Sequence, residues 1–263
     1  FTLHRGEILA LTGLVGAGRS ETVKALFGLN PPDSGEIYLH DKKIDIKNVS
    51  QAIENKIAFI PEDRHEEGLI LAMSMKDNVT LPVLKRILSP LRFINRHEVD
   101  RVAEEYVKKL SIRPSQIDKL AQNFSGGNQQ KIAVAKWLVS KPDILIIDEP
   151  TSQLDPEGTE SVFAIIKAMK DKQKTIILVE HKIDLIAEYA DDVLVLKDGE
   201  LIAVGDKNEI LTDITLMEKG VALPQVVLLA VKLQKAGLPL TKIPVTEKQA
   251  IEMIGQAMKE KRG

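Results

Sequence analysis

The run Gly13-Leu14-Val15-Gly16-Ala17-Gly18-Arg19-Ser20 has the spacing of a phosphate cradle: a glycine, four residues, a second glycine, a basic residue and a hydroxyl. Glycines let backbone N–H groups turn inward around phosphate oxygens. A helix starting at the end of such a loop adds its positive dipole end. The basic position holds Arg19, where the pattern prefers lysine. Arginine keeps the charge and can grip phosphate with two N–H groups, but its planar fork does not put that charge where an ammonium would sit. Retained nucleotide binding with slowed hydrolysis is the expected result. Gly13, Val15, Gly16, Ala17, Gly18, Arg19, Ser20 and Glu21 are the candidate phosphate-contacting residues.

A second signal is Ile144-Leu-Ile-Ile-Asp148-Glu149-Pro150-Thr151, an apolar run that delivers two carboxylates at its end. Asp148 is suited to hold Mg²⁺ together with Ser20, because Mg²⁺ takes a few hard oxygens. Glu149 is suited to polarise an attacking water. Two acids can simply end a strand; their coincidence with the Gly13 loop gives them weight. The third signal is Phe124-Ser125-Gly126-Gly127-Asn128-Gln129-Gln130 ahead of a helix over Lys131–Val139. A hydroxyl and two glycines at a helix start make another anion cradle. Alone, such a turn reads as a helix cap.

Short Ile- and Val-rich runs at Ile8–Thr12, Ile57–Ile60, Ile144–Ile147, Thr175–Val179 and Val193–Leu196 predict strands buried on both faces of a parallel sheet. Helical stretches, including Ser20–Phe27, separate most of them, which predicts an α/β fold. Residues 61–142 are helical and charged, with Val99–Leu110 the clearest amphipathic helix. The expected divisions are 1–60 and 143–210 as two parts of a nucleotide-binding core, 61–142 as an inserted helical subdomain, and 211–263 as a small C-terminal helical extension. Two helices are expected there, one with Pro224 in its first turn and one capped by Thr246 with Gln249 three residues on.

The 263 residues are 44% hydrophobic and 28% charged, ordinary for a globular chain. A net charge of −2 gives no field drawing the chain to nucleic acid, and with no cysteine there is no disulfide or thiolate metal site. The apolar runs are too short to span a bilayer, and no signal peptide is visible.

Together these motifs resemble the ATPase subunits of ABC transporters over about residues 1–210. Gly13–Ser20 match the phosphate loop, Ser125–Gln129 the signature motif, Asp148–Glu149 the metal-binding and catalytic acids, Ser152–Asp155 the D-loop, and His181 the switch histidine. The resemblance implies a P-loop NTPase (RecA-like) parallel-sheet core with ATP and Mg²⁺ as cofactors. It implies that Glu149, His181 and Glu62 serve catalysis, that Ser20, Asp148 and Glu62 hold the metal, and that Ser125, Gly126, Gly127, Gln129 and Asp155 add to the nucleotide contacts. It further implies a head-to-tail homo- or heterodimer, in which Ser125–Gly127 of one subunit close over ATP on the loop of the other. A transmembrane permease is the expected partner, docked on residues 61–142, with the chain on the cytoplasmic face of the cell membrane and not itself inserted. The expected function is to power solute uptake.

The halves resemble different groups. Gly16–Glu21, Pro61-Glu62-Asp63-Arg64 and Ser125–Lys131, Asn128 included, are similar to the second cassette of ribose-, galactose- and xylose-type sugar importers, where Arg replaces the loop Lys and Glu replaces the Q-loop Gln. Thr151–Gly158, Val179–Lys182 and the tail are similar to cobalt-type and energy-coupling-factor importer ATPases. Two origins stay open: a mosaic joined within Asp148–Thr151, engineered or recombined and with weak or no turnover, and a natural ATPase of an intermediate subgroup. An adenine-stacking aromatic upstream of the loop is not identified. A DNA-repair type ABC protein is disfavoured by the lack of sustained heptads. A GTPase is disfavoured because Asn55-Lys56-Ile57-Ala58 lacks the guanine-reading Asp.

Overall fold

The structure, a computed structural model, describes residues 1–14, 16–89 and 91–260. It divides into two compact units, Phe1–Arg19 with Ile177–Gly263, and Ser20–Ile176. The named strands in chain order are β1 (Ile8–Gly13), β2 (Ile37–Leu39), β3 (Lys42–Ile44), β4 (Ile57–Ile60), β5 (Ile144–Asp148), β6 (Thr175–Val179), β7 (Asp192–Lys197) and β8 (Glu200–Asp206).

In the unit built from both chain ends, β1 and β7 pair in parallel with Gly13 opposite Leu196. Ile8 to Leu11 and Val193 to Leu196 are buried, as two-sided apolar runs require. β8 lies antiparallel on β7, with an irregularity between Val195 and Leu196. This strand was not expected, because its residues are half exposed and mixed in polarity. The Asp198-Gly199 pair before it announces a hairpin, and both residues take positive φ. Further on, the helices Gln225–Lys235 and Glu247–Glu260 enclose Ala230, Leu238, Leu240 and Ala257. Pro224 stands at the cap of its helix, one residue before the first turn where it was expected. The Thr246 hydroxyl accepts from the Gln249 N–H at 3.3 Å, and the Gln249 side chain accepts from the Val245 N–H at 2.9 Å. The return arm of the box thus reaches one residue further back than a standard capping box.

In the Ser20–Ile176 unit, β4 and β5 pair in parallel, Ile57 opposite Ile144 and Ile60 opposite Ile147. The helix Gly126–Leu138 runs through the interior, with Ile132, Ala133 and Ala135 fully buried. Phe27 packs against Phe59 and, edge to face, against Trp137, each with ring centroids 5.3 Å apart. The amphipathic helix spans Arg96–Leu110, starts three residues earlier than expected because Asn95 caps it, and ends at Ser111 in a left-handed turn. β2 and β3 form a two-stranded hairpin.

Candidate functional site

The register of β4 and β5 positions the acids. Because Ile60 sits opposite Ile147, Glu62 and the Asp148–Glu149 pair leave their strands at the same carboxyl edge, where α/β sheets place ligands. Ser20, at the start of the helix Arg19–Leu26, donates its hydroxyl to Asp148 Oδ1 at 3.1 Å. Asp148 is 1% exposed. Burial pushes its carboxyl up to about 6; the Ser20 hydrogen bond opposes this, the charges of Glu149 and Glu62 add to it, and Lys24 opposes it. Glu149 is half-buried with φ at 40°, a left-handed backbone that a glutamate adopts only under constraint. Glu62 is exposed and takes a hydrogen bond from the Ser152 hydroxyl at 3.5 Å, the outer limit of such a contact.

Three neighbours of these acids were not singled out from sequence. Lys24 follows Ser20 by one helical turn and pairs with Glu67 at 2.8 Å; the four-residue spacing was the available signal. Ser152 and Arg64 were quoted as parts of motifs without roles.

The loop itself begins in the other unit. A side chain at Gly13 would put its Cβ 2.1 Å from the Leu196 carbonyl oxygen, and φ there is 148°. Glycine is therefore demanded by close approach of two backbones. Gly16 and Gly18 also take positive φ. Ala17 is buried; its N–H donates to the Leu14 carbonyl at 3.0 Å, and its carbonyl accepts from the Gly199 N–H at 3.2 Å. Arg19 is buried at the helix start, and Glu21 is exposed in its first turn. Val15 lies outside the described residues. His181 follows β6 with its side chain 51% exposed, its Nδ1 3.3 Å from Glu180. Glu180 is fully buried and accepts the N–H groups of His181 at 2.9 Å and Lys182 at 3.0 Å. The histidine is thus anchored by a carboxylate that sequence reading passed over.

Ser125 stands at the cap of the helix Gly126–Leu138, but its side chain makes no capping hydrogen bond; its hydroxyl accepts from Asn128 Nδ2 at 2.9 Å. At Gly127 a Cβ would meet Gly158 Cα at 3.5 Å. Gln129 and Asp155, expected to face nucleotide, spend their side chains internally. The Gln129 oxygen accepts from Arg64 Nε at 3.3 Å and lies 2.9 Å from His65 Nε2, while its amide donates to the Ala121 carbonyl at 3.2 Å. Asp155 caps the helix Pro156–Lys170 by accepting the Gly158 N–H at 2.8 Å. Among the described residues no three His, Cys, Asp or Glu side chains gather to hold a metal ion, and no helix is long and apolar enough to cross a membrane.

A parallel-stranded core with Ser20 against Asp148 at its carboxyl edge defines the P-loop ATP-binding cassette fold. The chain belongs to the ABC transporter family, whose sequence profile matches residues 1–152. It is 40% identical over 201 residues to the ribose import ATP-binding protein RbsA of Clostridium tetani, covering 76% of this chain and 40% of that protein. A putative ribose/galactose/methyl galactoside import ATP-binding protein of Burkholderia ambifaria is 35% identical over 201 residues, 76% of this chain and 39% of the relative. The chain thus spans about two fifths of the length of these curated relatives. Among solved structures it is similar to CbiO1 from Clostridium perfringens, part of the ABC transporter complex cbiONQ, with a TM-score of 0.68, 27% identity, and coverage of 87% of this chain and 89% of that one. A bacterial ABC transporter cassette solved as a dimer gives 0.67 and 26% over 78% and 88%. A 201-residue match within 263 residues must cross Asp148–Thr151. Similarity to one sugar-import relative therefore continues through the point where two ancestries were expected to join, and the reading as a mosaic without a transport role gains no support.

Proposed function

We propose that this chain is an ATP-binding and ATP-hydrolysing cassette that powers an importer, with a ribose-type sugar as the favoured solute. The single observation that carries the reading is the Ser20 hydroxyl held 3.1 Å from a buried Asp148. That pair of hard oxygens suits Mg²⁺ that arrives with phosphate oxygens, since the ion takes one or two carboxylates and keeps the rest of its shell from water and substrate. When bound there, Mg²⁺ supplies neutralisation of charge on the phosphates. The N–H groups of Gly13–Arg19 and the Arg19 guanidinium bind and orient the phosphates. Glu149 takes the proton of the attacking water, and Glu62 and His181 orient water and γ-phosphate. Phosphoryl transfer asks mainly for this positioning.

Two copies, or this chain and a related one, are proposed to pair head to tail, with Ser125–Gly127 presented to the neighbour's nucleotide. A permease is the proposed membrane partner, and the helical stretch 61–142 its docking region, on the cytoplasmic face. The sugar-import relatives and the dimeric cassette support these assignments. The test is phosphate release from ATP by the purified chain with and without Mg²⁺, beside equilibrium binding of a fluorescent ATP analogue. Mg²⁺-dependent release that disappears in Glu149→Gln is expected; failure to bind the analogue would overturn the assignment.

A further inference from the structure

Arg64 has no part in the phosphate chemistry above, yet it is only 5% exposed. Burying a guanidinium is costly unless its hydrogen bonds are met. Here they go to neutral acceptors: Nε donates to the Gln129 side-chain oxygen at 3.3 Å and Nη1 to the Ser152 carbonyl at 3.4 Å. Desolvation accordingly lowers its pKa from the ordinary value, with Asp63 opposing. The third nitrogen lies close over a glycine: a Cβ at Gly126 would stand 3.0 Å from Nη2.

These contacts join three segments of one unit. Arg64 opens the turn Arg64–Gly68, just after Glu62; Asp63 holds that turn by accepting the His65 and Glu66 N–H groups at 2.7 and 3.0 Å. Gln129 and Gly126 belong to the first turn of the helix whose start, Ser125–Gly127, would face the neighbouring subunit's nucleotide. Ser152 lies in the loop from Glu149 to Asp155. The turn is fastened to the same helix a second time, where the buried Lys136 donates to the Gly68 carbonyl at 2.7 Å. It is also tied to the helix after the phosphate loop through Glu67 and Lys24. A planar fork with several donors can hold two acceptors at fixed angles, which a single ammonium cannot.

We propose that Arg64 is a positioning residue that sets the first turn of the Gly126–Leu138 helix against the Glu149–Asp155 loop, so that both segments meet the neighbouring subunit as one preformed surface. The proposal rests on the head-to-tail reading above. Its action is on association of nucleotide-loaded subunits, while the phosphate loop's own grip on nucleotide is independent of it.

The experiment uses the full chain carrying Glu149→Gln, so that ATP persists, and compares it with Arg64→Lys and with Arg64→Met, which keeps a long side chain but none of the donors. Three quantities are measured: affinity for a fluorescent ATP analogue at low protein concentration, ATP-driven self-association by sedimentation, and the urea midpoint. Arg64→Lys and Arg64→Met are each expected to weaken self-association about tenfold or more, since a small misplacement of a positioned group is enough. Nucleotide affinity is expected to stay within about twofold, a split that a merely structural defect would not give. Self-association of Arg64→Lys equal to that of its parent, or a parallel fall in nucleotide affinity, overturns the proposal. If Arg64→Lys does not fold, Arg64→Met, which buries no charge, decides by the same criteria. A parent that neither binds the analogue nor associates overturns the head-to-tail reading and this inference with it, a result recognised before any Arg64 variant is compared.

Discussion

Replacing Asp148 by Asn should stabilise the metal-free protein above neutral pH, although it removes the group proposed to meet the metal. The carboxyl is buried, and its pKa is raised from 3.8 to about 6, first by burial, with Glu149 and Glu62 adding to it. An acid whose folded pKa lies above its unfolded value binds more protons when folded. The stability it contributes is fully present below about pH 3.8 and is lost as pH rises through about 6. A shift of roughly two units corresponds to about 3 kcal/mol. Asn keeps the shape and an oxygen that can still accept from Ser20, so the charge is the chief thing removed. Asp148→Asn should therefore gain about 3 kcal/mol at pH 8 and about half of that at pH 5. Urea unfolding of both proteins at the two pH values, with a chelator present, measures the difference; titrating groups remote from Asp148 cancel between them. No gain at pH 8, or the same gain at both pH values, would refute the claim that burial and like charges strain this carboxylate. The strain is what the proposed function needs, because a carboxylate short of compensating charge is ready to receive a cation.

Gly13→Ala forces a Cβ to 2.1 Å from the Leu196 carbonyl at a φ of 148°, so β1 and β7 must separate. A loss of about 3 kcal/mol or more by urea unfolding is expected, and a loss below about 1 kcal/mol would show that the two strands give way cheaply. Glu149→Gln should cut ATP turnover about a hundredfold or more while nucleotide affinity holds; comparable turnover would move the water-activating role elsewhere. Arg19→Lys should raise turnover about tenfold by returning a point charge to the phosphates. Equal rates for the two proteins would mean that the guanidinium reaches the same place.

The strands that sequence made legible share one property: burial from two sides. Ile8–Leu11, Ile57–Ile60, Ile144–Ile147 and Ile177–Val179 are apolar because nothing else tolerates that environment. β2, β3 and β8 escape such reading because they are short or face solvent on one side. The site divides in the same way. Ser20 and Asp148 lie 128 residues apart, yet they were paired in advance, because each belongs to a local pattern with its own chemical meaning. Arg64, Gln129 and Ser152 belong to no such joint pattern. Their contact depends on where a turn places a side chain, which no periodicity encodes.

Glu180 and His181 make the distinction sharper. The exposed histidine drew attention because it matches the switch histidine of the family motif. The adjacent buried glutamate fixes it by taking two backbone N–H groups and lying beside Nδ1. With Nδ1 3.3 Å from that carboxylate, the placement of the ring is tied to a residue to which the motif gives no role. Motif spacing names the candidate groups. Which way they point is decided by groups such as Glu180, whose full burial is set by the packing of the folded chain.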